Sequence, residues 1–206
     1  MKTAEAQFTL GNMHRNGEGG PQDLAEARRL LGLAAAQGNA RAQNALGLMH
    51  NDGDAGPQDF AEASRLFGLA AAQGDADAQA KLGGMYYDGE VVPQDFAEAR
   101  RLLWLAEAQG HAVAQASLGC MYHQGHGGPK DFAEARRLFG LAAAQGHTVA
   151  QSTLAACTAM EKVDRKTMPR QDGCLGSHQS KATGWRSLCL ARCTAMAKAV
   201  RRTLQR

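Results

Sequence analysis

Large side chains are scarce in this sequence. Aromatic residues fill 5% of its 206 positions, while glycine alone fills 24. Such a composition disfavours one bulky core and favours helices packed closely through small residues. No apolar run is long enough to span a bilayer. The opening MKTAEAQFTL has one lysine and no continuous apolar stretch, so no secretory signal is read there. A cytoplasmic location is expected, with the nucleus as the second choice. The five cysteines, Cys120, Cys157, Cys174, Cys189 and Cys193, are odd in number and none recurs in every repeat, which argues against a disulfide framework and for a reducing compartment. A phosphate-cradling glycine loop with its lysine is missing, and so is any Ser-x-x-Lys.

Charge is present but unevenly placed. Residues 1–160 carry 12 Lys/Arg and 17 Asp/Glu, whereas residues 161–206 carry 11 and 3. The overall charge of +3 therefore joins an acidic part to a basic one, with a boundary near residue 160.

What the chain has in abundance is itself. PQDLAEARRLLGLAAAQG from Pro21 returns as PQDFAEASRLFGLAAAQG from Pro57, PQDFAEARRLLWLAEAQG from Pro93 and PKDFAEARRLFGLAAAQG from Pro129. Four segments starting at Ala4, Ala40, Ala76 and Ala112 repeat in the same way, and a decayed fifth, TVAQSTLAACTAME, starts at Thr148. A period of this size points to a stacked repeat architecture.

Each unit reads as two helices. Leu24, Ala27, Leu30, Leu31 and Ala34 form a helical stripe. Asp23 is placed to cap that helix, with Glu26 completing a capping box, and Gly38 is placed to stop it. In the first helix Ala6, Leu10, Met13 and His14 share a side, as do Ala78, Leu82, Met85 and Tyr86 in the third copy. Gly17, Gly53, Gly89 and Gly125 end these helices. Gly11, Gly47, Gly83 and Gly119 sit in mid-helix, where glycine costs about 1 kcal/mol relative to alanine. The close passage of a helix backbone is the expected reason.

The pattern A-x-A-Q-x-x-L-G-x-M-[YH]-x-x-G, then P-Q-D-[FL]-A-E-A, then A-A-A-Q-G resembles the Sel1-like repeat, a relative of the tetratricopeptide repeats. The resemblance covers residues 3–160, as copies 3–38, 39–74, 75–110 and 111–146 and a half copy 147–160. It implies an all-α fold, a right-handed α/α superhelix, with a weakly structured basic tail over 161–206. It also implies a non-enzymatic adaptor that binds a peptide or protein on the concave face, lined by the first helices. Regular cysteines, found in some relatives described as β-lactamase-like, are missing here.

The constant positions build such an array, so recognition is expected at the variable ones. Three first-helix positions vary: Phe8/Asn44/Ala80/Ala116, Asn12/Leu48/Gly84/Cys120 and Arg15/Asn51/Tyr87/His123. From these, Phe8, Asn12, Arg15, Asn44, Leu48, Asn51, Tyr87, Cys120 and His123 are taken as candidate partner-binding residues. No catalytic, cofactor-binding or metal-binding residue is assigned. Cys120, His123 and His126 have ligand-like spacing but occupy variable repeat positions. Cys174, His178, Cys189 and Cys193 lack the tight turns of zinc modules. In the tail an amphipathic helix over 185–204 is expected, and through it nucleic acid or anionic lipid is the alternative partner. The matching CTAM at Cys157 and Cys193 suggests a worn sixth copy that would cap the array.

Overall fold

The structure, a computed structural model, describes residues 3–89 and 91–155. Cys157, the tail cysteines and the expected helix over 185–204 lie outside them. The described residues are helical throughout, with no strand. The helices are α1 (Ala4–Asn16), α2 (Leu24–Ala36), α3 (Ala40–Asp52), α4 (Phe60–Ala72), α5 (Ala76–Asp88), α6 (Phe96–Ala108), α7 (Ala112–Gln124) and α8 (Phe132–Ala144). Residues 148–155 begin a ninth, α9.

The helix boundaries follow from local chemistry. Asp23 accepts a hydrogen bond from the Glu26 N–H at 2.9 Å, and Asp59 and Asp131 do the same for Glu62 and Glu134. This satisfies a backbone donor that a helix start leaves orphaned. The second arm of the expected capping box is replaced. The Asp23 N–H donates to the His14 carbonyl at 3.0 Å, tying the start of α2 to the end of α1. Glu26 holds Arg29 by two bonds of 2.8 and 2.7 Å. Gly17, Gly53 and Gly89 close the first helices in the left-handed conformation, with φ of 73°, 78° and 71°.

Residues 3–111 form one compact unit, and the described residues 112–155 belong to a second. In the first unit α1 packs on α2, α3 on α4 and α5 on α6, while α2 also packs on α3 and α4 on α5. The apolar stripe of α2 is fully buried at Ala27, Leu31 and Ala34, against Ala42, Leu46 and Met49 of α3. Burying a leucine stabilises by about 1.5–3 kcal/mol, so every repeat contributes to the fold of the next. Position in the array decides the rest: Met49 is 1% exposed under α2, whereas the equivalent Met13 is 37% exposed. In the second unit α7 packs on α8, burying Leu118, Met121, Leu138 and Phe139.

The mid-helix glycines have the steric cause expected, but side chains lie nearer than backbone. A Cβ on Gly11, Gly47, Gly83 or Gly119 would meet the side chain of Leu31, Phe67, Leu103 or Phe139 at 2.8–3.0 Å. Backbone atoms come second, at 3.3 Å, for Gly11 and Gly83. The space is taken by the leucine or phenylalanine of the partner helix in the same repeat.

Candidate functional site

The three variable positions are spaced i, i+4 and i+7, so each first helix carries them on one face. Burial divides them. Phe8, Asn44 and Asn51 are 6–8% exposed and Cys120 is 3% exposed, while Asn12, Arg15, Leu48, Tyr87 and His123 are half-buried.

Two of the buried side chains, Phe8 and Asn44, reach the next repeat. Phe8 lies under the Arg41 guanidinium, 4.5 Å from its ring centroid. Asn44 Nδ2 donates to Asp75 Oδ1 at 3.2 Å, and Asp75 caps α5 by accepting the Ala78 N–H at 2.8 Å. Burial raises the Asp75 carboxyl above the usual carboxylate range. This first position therefore joins repeats before it can meet a partner, which spacing alone does not reveal.

The half-buried residues line the open part of the face. Leu48 packs on the core of the second and third repeats. Tyr87 meets Phe96 edge-on, with centroids 5.4 Å apart, and His123 meets Phe132 in the same way at 5.2 Å. Burial, and then Lys130, hold His123 below its ordinary pKa, which favours a neutral ring. Asn12 Oδ1, Asn44 Oδ1 and His123 Nδ1 are closed off from solvent with no hydrogen-bond partner.

Sequence reasoning missed two features. Phe60 and Phe132, the first residues of α4 and α8, are 39% and 62% exposed, and Phe132 extends the edge that His123 begins. Their signal was the phenylalanine after PQD or PKD, read only as a motif letter. The second feature is a glutamine ladder. Gln73 Nε2 donates to Gln43 Oε1 at 2.7 Å, and Gln109 to Gln79 at 3.0 Å. Gln43 and Gln79 each donate to the preceding repeat, at Ala35 O and Ala71 O, both 3.2 Å. The recurring glutamines thus satisfy buried polar groups between repeats.

Among the described residues, no three His, Cys, Asp or Glu side chains gather as a metal site. No described helix is long and apolar enough to cross a membrane.

Tandem helix pairs, stapled by glycine-relieved contacts and a glutamine ladder, define an α/α repeat protein with a variable first-helix face. The Sel1 repeat profile matches four consecutive segments, residues 4–39, 40–75, 76–111 and 112–147. The chain belongs to the Sel1 repeat family. Its fold is similar to that of a protective antigen from uropathogenic Escherichia coli strains that displays an SLR fold. The two are 35% identical with a TM-score of 0.70, over 76% of this chain and 34% of that one. The chain thus spans about a third of the antigen's length. It is also similar to a Sel1 repeat protein from Oxalobacter formigenes, at 27% identity and a TM-score of 0.74, over 95% of this chain and 74% of that one. No protein of curated function matches the sequence. Sel1 repeat proteins are generally protein–protein interaction scaffolds, and they are typically non-catalytic.

Proposed function

We propose that this chain is a non-enzymatic adaptor that holds a peptide or protein segment against the first-helix face, at the half-buried variable positions. One observation carries the reading. Side chains on one face of each first helix change from copy to copy, while the aspartate caps of the second helices, the core leucines Leu30, Leu66, Leu102 and Leu138, and the glutamine ladder stay constant. Asn12, Arg15, Leu48 and Tyr87 are the contact residues of this reading in the first unit, and His123 holds the equivalent place in the second; Phe8, Asn44, Asn51 and Cys120 are buried. Half-buried aromatic and arginine side chains such as Tyr87 and Arg15 are the types that anchor protein interfaces. The test is capture of a partner by the full chain and by Leu48→Glu and Tyr87→Ala variants. Loss of the captured protein with helicity unchanged is the expected result. Undiminished capture by both variants would discard this face as the binding surface.

A further inference from the structure

The acidity of the repeats is confined to one part of them. Residues 1–111 carry 9 Lys/Arg against 15 Asp/Glu, while residues 112–160 carry 3 against 2. Part of the excess sits where a helix tolerates it least. Asp52 and Asp88 are the last residues of α3 and α5, at the negative end of the helix dipole. Asp54 follows in the loop, and Asp52 is exposed. In the fourth copy the positions of Asp88 and its loop neighbour are held by Gln124 and His126, so the excess is not a requirement of the repeat. Asn51 Nδ2 donates to Asp52 Oδ1 at 2.9 Å, and Lys81 offsets part of the charge of Asp52 and Asp77. With 15 acidic against 9 basic residues the unit stays negative, and it calls for a cationic occupant.

The chain contains one. Residues 173–206 have no acidic residue and include Lys181, Arg186, Arg192, Lys198, Arg201, Arg202 and Arg206. The residues between 155 and 181 reach about 90 Å when extended, several times the ~20 Å of a 13-residue helix. A tether of that kind raises the local concentration of the segment to the order of millimolar.

We propose that residues 173–206 act as a tethered ligand for the acidic first-helix face of residues 1–111, around Asp52, Asp54 and Asp88, and so occupy it until a partner displaces them. The displacement clause rests on the adaptor reading above; the docking does not. The segment is held by charge, and its hold weakens with salt.

The test is zero-length carbodiimide coupling in the full chain, at low protein concentration and about 50 mM salt, where charges are weakly screened. A lysine amine and a carboxylate lose water to form an amide only when they touch. Links from Lys181 or Lys198 to Asp52, Asp54 or Asp88 within the monomer are expected, reduced at least about fivefold near 500 mM salt. They should disappear in Asp52→Asn/Asp54→Asn/Asp88→Asn. If that variant loses helicity, Arg192→Gln/Arg201→Gln/Arg202→Gln leaves the repeats intact and must reduce the links from Lys198. Links found only in a dimer assign the occupant to a second copy and overturn the proposal. So do links made mainly to Asp131 or Glu134, links indifferent to salt, or no links at all. Partner capture can fail while these links persist, which separates this inference from the adaptor reading.

Discussion

The ring of Phe67 in α4 lies where a side chain on Gly47 of α3 would go. A Cβ there would sit 2.8 Å from Phe67 Cε1 and 3.0 Å from Cδ1. Both residues belong to one repeat, so this contact fixes how closely its two helices approach.

Gly47→Ala is expected to lose about 1–2 kcal/mol. The overlap with a buried ring costs about 1–3 kcal/mol, more than the ~1 kcal/mol of helix propensity returns. Gly68 in α4 is the control, because a Cβ there meets nothing within 4 Å. Gly68→Ala should gain about 0.5–1 kcal/mol. Urea unfolding of the two variants reads opposite signs; stabilisation of both would remove the steric account of the recurring glycine.

Gln43→Leu should cost about 1–3 kcal/mol, because it leaves Ala35 O without its buried donor, whereas Gln73 Nε2, on an exposed residue, keeps Leu69 O at 3.3 Å. Gln7 is only half-buried and its bond to Gln37 lies at the exposed edge of the first repeat. Gln7→Leu should therefore cost well under half as much in the same thermal or urea measurement. Equal costs would show that the ladder does not depend on its buried inter-repeat bond.

Arg28 gives the second repeat a pH dependence. Its Nη1 donates to Ala55 O at 3.1 Å, and its Nη2 lies 3.3 Å from His50 Nδ1 and 3.4 Å from Nε2. Burial first, and then the Arg28 charge, hold His50 below its ordinary value of 6.5, with Glu62 and Asp59 opposing and Arg65 adding to the shift. The unfolded chain thus binds the proton more readily than the folded one. Stability is fully present above the unfolded value and falls as pH drops through the folded one. Arg28→Gln should raise the His50 pKa in an NMR titration and soften that fall. An unchanged His50 titration would mean that Arg28 does not act on it.

Ala55 has φ of 59°, at a position where Gly19 and Gly127 have φ of 82° and 70°. The left-handed conformation costs a non-glycine residue about 1–2 kcal/mol, and glycine gives back about 0.5–1 kcal/mol in unfolded-state freedom. Ala55→Gly should therefore raise stability by about 0.5–1 kcal/mol. A lower melting temperature for this variant would contradict the assigned strain.

Much of this molecule can be read along the chain. Caps and stops are local chemistry: Asp23 meets the N–H three residues on, and Gly53 turns left-handed where the helix must end. The 36-residue register from Pro21 to Pro57 requires equivalent helices in equivalent places. Periodicity also placed Leu30, Leu31 and Ala34 on a buried side. The tertiary structure decided what lies against each face. It placed Phe139 over Gly119 and sank Asn44 into the junction with Asp75. It also covered Met49 while leaving Met13 open. Helical spacing assigns a residue to a side, but burial and hydrogen bonding depend on which neighbour the stacking brings to that side. That neighbour stands 20 positions away for Gly119 and Phe139 and 31 for Asn44 and Asp75, where no local pattern can see it.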